Sequence, residues 1–135
     1  RGLLSEDLVR SLHKLIEAKI EQKTSVALDD FFFCPHHPEA TVEKYRTGCT
    51  CRKPEPGMLL EAAKKHAVDL TKSYIIGDHI TDCIAGHKAG CTTVQVLTGV
   101  HTEPPIESFS NIDYSYKPDY TCTTLIEAAQ WIGNR

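Results

Sequence analysis

The pattern of apolar and polar positions predicts an amphipathic helix at the start of the chain. Ser5 can cap this helix, and the acidic residues Glu6 and Asp7 suit the positive end of its dipole. Apolar side chains then recur at helical spacing, at Leu4, Leu8, Leu12, Leu15, Ile16 and Ile20. The first predicted element is therefore a helix with one apolar face.

Short apolar runs and helical segments alternate along the rest of the chain. The branched and aromatic residues from Val26 to Phe33 predict a strand. The other predicted elements are strands over 73–78 and 92–97, a short strand around Tyr120, and helices over 57–66, 82–89 and 125–132, with 103–117 irregular. Continuous apolar strands that alternate with helices are typical of an α/β fold, in which helices cover both faces of a parallel sheet.

Composition and charge narrow the class of protein. A chain of 135 residues, 41% hydrophobic and 24% charged, fits a single globular domain over residues 1–135. No apolar run approaches the ~20 residues that span a bilayer, and no signal peptide is evident, so we expect no membrane partner. Since the net charge is −3 with interspersed signs, we expect no nucleic-acid partner either. We expect a cytoplasmic monomer.

Residues 34–56 form a segment that a hydrophobic core alone cannot stabilise. It holds four prolines and one glycine and has no sustained apolar period. Within it, Cys34 and His36 form one close pair and Cys49 and Cys51 another, which suits a closed tetrahedral zinc site. We therefore predict a structural zinc loop over residues 34–51, against the alternatives of ordinary loop cysteines or one disulfide. His37 is interpreted as a surface or second-shell histidine.

The other three cysteines stand apart from this loop. Cys83, Cys91 and Cys122 lie among apolar or small neighbours. They are most simply small core residues, so no catalytic thiol is predicted.

A second candidate site follows the apolar strand that ends at residue 78. Asp78 would lie at the carboxyl end of that strand, where ligands bind in α/β sheets, and a carboxylate there suits Mg²⁺. Asp82 could support that metal site or simply favour the helix dipole, so a capping pair without a metal is the alternative. Arg52 and Lys53 could bind phosphate, although a basic pair in solvent is the simpler interpretation of these two residues alone.

Several short motifs occur together in this sequence. They are Cys34-Pro35-His36-His37-Pro38, Cys49-Thr50-Cys51-Arg52-Lys53-Pro54, Pro56-Gly57-Met58, Ile76-Gly77-Asp78, and Ala85-Gly86 with Ala89-Gly90. Together they resemble the haloacid dehalogenase (HAD) superfamily, and within it most of all the D-glycero-D-manno-heptose 1,7-bisphosphate 7-phosphatases. The resemblance implies a Rossmann-like, HAD-type parallel sheet flanked by helices, with an inserted zinc-binding loop.

The resemblance also implies an activity and roles for single residues. It implies a hydrolase that uses Mg²⁺ to remove the 7-phosphate of the heptose bisphosphate through an aspartyl-phosphate. Lys53 would stabilise the phosphoryl group and Arg52 would contact the phosphorylated sugar, while Asp78 would bind Mg²⁺, with Asp82 in support. His79 departs from the family, because close relatives often carry lysine there. The implied zinc ligands are Cys34, His36, Cys49 and Cys51.

One feature of the family is missing from the sequence. Enzymes of this family attack phosphorus with the first aspartate of an Asp-x-Asp pair, and no such pair occurs in this sequence. We therefore expect the chain to begin after the N-terminal motifs, to lack the central strand of the sheet, and to be marginally stable alone. Two alternatives stay open: a histidinol-phosphate phosphatase, and a catalytically inactive zinc-stapled fragment or binding module.

Overall fold

A computed structural model describes residues 4–99 and 115–135 of the chain. The chain forms two compact units, Arg1–Cys49 and Thr50–Arg135. The predicted irregular segment 103–117 lies mostly outside the described residues. The prediction of one domain over 1–135 stays a prediction.

The first unit begins with the predicted amphipathic helix, α1 (Glu6–Thr24). Ser5 caps it as expected, because its Oγ accepts a hydrogen bond from the Leu8 amide at 3.2 Å. The helix ends where Ser25 adopts the left-handed conformation, with φ at 57°. None of its residues is buried, and the leucines of its apolar face keep about half of their surface exposed. The described part of the first unit therefore leaves this apolar face uncovered.

The strand predicted over Val26–Phe33 is wrong. The segment has no strand pairing within the part of the chain that the structure describes, although its composition favours one. A strand exists only when a neighbouring backbone satisfies its amides and carbonyls, and local composition does not supply that neighbour. Side chains hold the segment instead, since Phe31 stacks on His13 of α1 at 4.5 Å between ring centroids.

The second unit is a parallel sheet with helices, as the sequence predicts. Its strands β1 (Tyr74–Gly77), β2 (Thr92–Val96) and β3 (Tyr120–Cys122) lie side by side in that order and are all parallel. Ile76 is in register with Val94, and Val96 with Cys122. The helices are α2 (Gly57–His66), α3 (Ile80–Ala89) and α4 (Leu125–Gly133), with a 3₁₀ turn at Leu70–Lys72, and the first unit has another at Glu43–Tyr45.

A small core holds the sheet and its helices together. Val94, Val96, Cys122 and Ala128 are buried against one another, and Trp131 packs on this cluster. On the α3 side, a Cβ on Gly86 would lie only 2.9 Å from Cβ of Ile75 and 3.0 Å from Cγ2 of Thr93, so α3 lies very close to the sheet. Within residues 4–99 and 115–135, no helix is both long enough and apolar enough to cross a bilayer.

A hydrogen-bond network joins β2 to the residues that enter β3. The buried Thr93 donates from its amide and its Oγ1 to Oδ2 of Asp119, each at 2.8 Å. Its Oγ1 also lies 2.8 Å from the hydroxyl of Tyr116. These bonds from Thr93 hold the pKa of Asp119 below its usual value, whereas burial raises the pKa of Tyr116.

The lowered pKa of Asp119 predicts an acid-sensitive contribution to stability. A carboxylate whose folded-state pKa is depressed stabilises the fold above its unfolded pKa of about 3.9, and this contribution is lost as the pH falls through that region. We expect Asp119→Asn to lower the free energy of unfolding by about 1 kcal/mol at pH 7, since the group is largely exposed. The deficit should begin to shrink as the pH falls below about 4, and it should vanish only below the lowered folded-state pKa.

Urea unfolding of the wild type and of Asp119→Asn at pH 7, 5 and 3 measures this difference. Glu61→Gln, which neutralises an exposed carboxylate on α2, is the control. A deficit of Asp119→Asn that stays constant over this pH range would contradict the assignment.

Candidate functional site

Four predicted metal ligands come together in the structure. The ligand atoms of Cys34, His36, Cys49 and Cys51 all lie within 4.8 Å of one another. Cys34 Sγ is 3.5 Å from Cys49 Sγ and 3.7 Å from His36 Nδ1. A tetrahedral zinc with Zn–S bonds of about 2.3 Å separates its ligand atoms by about 3.7 Å. The cluster therefore has the donor set and spacing of a closed four-coordinate metal site.

None of the six cysteines, all of which the structure describes, forms a disulfide. The alternative that the loop is closed by one disulfide is therefore not seen.

The loop around this cluster has almost no core. Of residues 34–51, only His37 and Ala40 are buried. The His37 amide donates to the Tyr45 carbonyl at 2.9 Å, and its Nδ1 accepts from the Glu39 amide at 3.0 Å. Of the two interpretations of His37, the surface position is wrong, because the imidazole is buried against its own loop, whereas the second-shell role stays a prediction. With so little apolar burial, the loop depends on polar contacts and on whatever the cluster binds.

Glu6 of α1 is a contact point that the sequence pattern did not reveal. Its carboxylate accepts a hydrogen bond from the Tyr45 hydroxyl and lies 3.8 Å from Lys44 Nζ and 3.7 Å from Arg10. The Tyr45 hydrogen bond, followed by these cations, lowers the pKa of Glu6. The first turn of α1 and the loop line a cleft of about 840 Å³. Sequence reasoning assigned Glu6 only to the helix dipole, since its partners are distant in sequence.

The predicted phosphate-binding cations lie in a closed turn between the cluster and α2. The Gly57 amide donates to the Thr50 carbonyl at 2.8 Å, and a Cβ on Gly57 would lie 3.0 Å from the Cys51 amide nitrogen. Arg52 is half-buried, whereas the Lys53 side chain keeps 48% of its surface exposed. We call residues 50–57 the cationic loop.

Lys53 and Asp82 meet in the structure. An oxygen of the Asp82 carboxylate forms an ion pair with Lys53 Nζ, and the other oxygen accepts from the His79 amide at 3.1 Å. Asp82 is only 7% exposed, so its charge is neutralised by a nearby cation and a backbone donor rather than by bulk water. The interpretation of Arg52 and Lys53 as nothing more than a solvated pair therefore does not hold for Lys53.

Asp78 directly follows β1, as predicted, at the carboxyl end of the sheet. Gly99, with φ at 92°, lies against its carboxylate: a Cβ there would be 3.1 Å from Cγ of Asp78. A side chain at position 99 would therefore occupy space next to the proposed magnesium ligand.

His79 is the N-cap of α3. Its Nδ1 accepts from the Thr81 amide at 3.3 Å, and Asp82 completes a capping box by accepting from the His79 amide. Because of this box, α3 begins at Ile80, two residues before the start that the sequence predicted. Serine, threonine, aspartate and asparagine are the residues preferred at an N-cap. Because the N-cap of α3 is a histidine, these preferences did not predict where the helix begins.

The three cysteines outside the cluster are buried, as predicted. Burial, with smaller effects from the charges of Asp82 and Asp119, raises the pKa of Cys83 to about 12. Burial also raises the pKa of Cys91 and of Cys122. Since the reactive form of cysteine is the thiolate, none of the three suits a catalytic role.

Comparisons with known proteins agree with this geometry. The family model for HAD-hydrolase-like proteins matches residues 50–128. A D-glycero-beta-D-manno-heptose-1,7-bisphosphate 7-phosphatase of Rhodopseudomonas palustris is 46% identical over 90 residues, which are 67% of this chain and 49% of that protein. The enzyme of the same name from Escherichia coli K12 is 38% identical over 109 residues, 80% of this chain and 56% of that protein. The chain thus spans about half the length of these curated relatives.

Solved structures show the same fold. The D,D-heptose 1,7-bisphosphate phosphatase of B. bronchiseptica, complexed with magnesium and phosphate, is 28% identical with a TM-score of 0.76, over 99% of this chain and 68% of that chain. A HAD-like phosphatase from Mesorhizobium loti, 22% identical with a TM-score of 0.75 over 98% of this chain and 58% of that chain, shows the fold alone. The resemblance read from the motifs is confirmed: the chain belongs to the HAD-hydrolase-like family.

Proposed function

We propose that this chain carries the lysine and magnesium half of a phosphatase that acts on the 7-phosphate of D-glycero-D-manno-heptose 1,7-bisphosphate. The observation that carries the proposal is the buried Asp82 carboxylate, which holds Lys53 beside the strand end that bears Asp78. The names of the relatives supply the substrate, and the magnesium and phosphate in the B. bronchiseptica complex match the chemistry of these side chains. We further propose that the protein is monomeric and, in line with six cysteines that form no disulfide, cytoplasmic.

In this proposal each side chain has one task. The Lys53 ammonium neutralises charge on the phosphoryl group, and Asp82 holds that ammonium in place. Arg52 contacts the substrate. The Asp78 carboxylate binds Mg²⁺, which supplies further positive charge to the phosphate oxygens when bound. The attacking aspartate of the aspartyl-phosphate mechanism is not assigned to any residue of this chain.

We propose that the cysteine and histidine cluster holds structural Zn²⁺. Three sulfurs and one imidazole nitrogen complete a tetrahedral shell, so no position stays open for a reacting water. Cys34, His36, Cys49 and Cys51 would hold the ion, and the metal would order a loop that buries only two residues.

Removing Lys53 tests the phosphate site. We expect the chain to bind inorganic phosphate in the presence of Mg²⁺ and Lys53→Ala to weaken that binding roughly 10- to 100-fold, the usual effect of losing a charge-assisted contact. Titration followed by ³¹P NMR measures the affinity, so no hydrolysis is needed. Lys64→Ala, which removes an exposed lysine on α2, should bind phosphate like the wild type.

The results of this titration distinguish a phosphatase from a binding module. Asp78→Asn should make phosphate binding independent of Mg²⁺, since it removes the proposed ligand. A wild-type chain that ignores phosphate with Mg²⁺ present would support a zinc-stapled binding module. If a protein that includes this chain releases phosphate from histidinol phosphate and not from the heptose bisphosphate, the proposed substrate becomes histidinol phosphate.

A further inference from the structure

A second ion pair joins the cationic loop to α3. Lys88 Nζ lies 2.7 Å from Oε1 of Glu55, and the two side chains are 41% and 47% exposed. Lys88 is in the last turn of α3, whereas Asp82, the partner of Lys53, is in its first turn. At 1.5 Å per residue the two anchor points on the helix are about 9 Å apart. The cationic loop is therefore attached to α3 at two separate places.

The signs of these charges fix how the loop lies on the helix. The anchor near the start of α3 is negative and binds a lysine, and the anchor near its end is positive and binds a glutamate. Each helix anchor also carries the charge that suits its end of the helix dipole. If the loop were reversed on α3, like charges would meet, and a shift along α3 would break both pairs, so only one placement satisfies both pairs.

Glu55 is linked to the turn that presents Lys53. Its amide donates to the Arg52 carbonyl at 2.9 Å, so residues 52–55 form a hydrogen-bonded turn. Fixing the Glu55 side chain on α3 therefore restricts the turn itself. The half-exposed Lys53 side chain can adopt many rotamers. Restricting its backbone reduces the conformational entropy that is lost when Asp82 holds its ammonium.

We propose that Glu55 and Lys88 are positioning residues that hold the cationic loop on α3 and so keep Lys53 at Asp82. The consequence for phosphate rests on the function proposed above, whereas the placement of Lys53 does not. Loss of the pair should release Lys53 from Asp82 for a larger fraction of the time. An exposed ion pair supports a change of about 1.5- to 5-fold.

Competitive acetylation of lysines, followed by mass spectrometry, tests the placement directly. In Glu55→Gln and in Lys88→Gln, the rate of Lys53 acetylation should rise by about 1.5- to 5-fold, because an ammonium held by a carboxylate reacts more slowly. The double variant should show no more than either single change, since both remove the same pair. The conservative Lys88→Arg should keep slow acetylation, since it keeps a positive charge opposite Glu55.

Lys64 on α2 is the internal control, and its rate should stay constant in every variant. Wild-type rates at Lys53 in both single variants would overturn the proposal, and so would an increase that is equal at Lys53 and Lys64. Weaker phosphate binding, by the same factor as the labelling change, should accompany the effect. If Lys53 labelling changes while the wild type binds no phosphate, the positioning role stands and the proposed function fails.

Discussion

Cys49→Ser is expected to abolish binding of the proposed Zn²⁺ and to unfold the loop over residues 34–51. The sulfur of Cys49 lies 3.5 Å from that of Cys34, inside a cluster of four ligand atoms. Metal binding to such sites supplies about 10–16 kcal/mol in zinc-finger peptides, and a hydroxyl replaces a thiolate poorly as a zinc ligand. Because only His37 and Ala40 are buried in the loop, no core remains to hold it once the metal is lost.

Two measurements check this prediction. Metal analysis after gel filtration should find about one zinc per wild-type chain and almost none in the variant. Amide hydrogen exchange should report the loop, because the amides of His37 and Ala40 donate hydrogen bonds of 2.9 and 3.0 Å that the folded loop protects. Both amides should lose protection in Cys49→Ser.

Cys91→Ala is the matched control, since it removes a buried thiol outside the cluster. This variant should keep its zinc and the protection of both loop amides, whatever it loses in overall stability. A wild-type chain that binds no zinc when it is supplied, or a Cys49→Ser chain that keeps a full equivalent, would contradict the structural zinc site.

The parts of the fold that the sequence predicts well are those in which local pattern and burial agree. Tyr74–Gly77 is a short apolar run and Thr92–Val96 carries the buried Val94 and Val96, as expected for strands of a parallel sheet. The four cluster ligands were predictable for a related reason. Cys34 with His36 and Cys49 with Cys51 form two close pairs in a segment without a core, and this pattern is typical of a zinc site.

Other parts depend on partners that no local pattern specifies. The segment 26–33 has the composition of a strand, but pairing is a property of two segments, and the described residues supply no second one. The apolar face of α1 was likewise predicted, whereas its exposure was not. Leu8, at 53% exposed, shows that periodicity identifies an apolar face without saying what covers it.

The contacts that organise the candidate site join polar or charged residues that are far apart in sequence. Glu55 and Lys88 are separated by 33 positions, and Tyr45 and Glu6 by 39. Charged residues are common on any surface, so the sequence does not single out these pairs. The histidine N-cap of α3 was not predicted for another reason, since histidine is rare as a helix N-cap.

Gly77→Ala is expected to lower the free energy of unfolding by about 2–4 kcal/mol, from overpacking and from the loss of a helix cap. A Cβ on Gly77 would collide with Cβ of Asp82 and would lie 2.5 Å from both its Cγ and its Oδ2. That carboxylate cannot simply move aside, because it is buried and binds both the His79 amide and Lys53 Nζ. The substitution should therefore damage the cap of α3 and release Lys53 together.

Urea unfolding measures the loss of stability, and Gly133→Ala is the control. A Cβ on Gly133, at the end of α4, would meet nothing within 4 Å, so this variant should be as stable as the wild type or up to about 1 kcal/mol more stable. Lys53 acetylation should also rise in Gly77→Ala and stay unchanged in Gly133→Ala.

A double-mutant cycle separates the clash with Asp82 from any other effect of the methyl group. If the Asp82 side chain is what the methyl group meets, then Gly77→Ala should be far less costly in an Asp82→Gly background, which removes Cβ together with the carboxylate. The expected coupling is about 1–3 kcal/mol. If the two changes add instead, the cost at Gly77 arises from the backbone or the sheet. In that case the glycine is required by the backbone of β1 and has no part in placing Lys53.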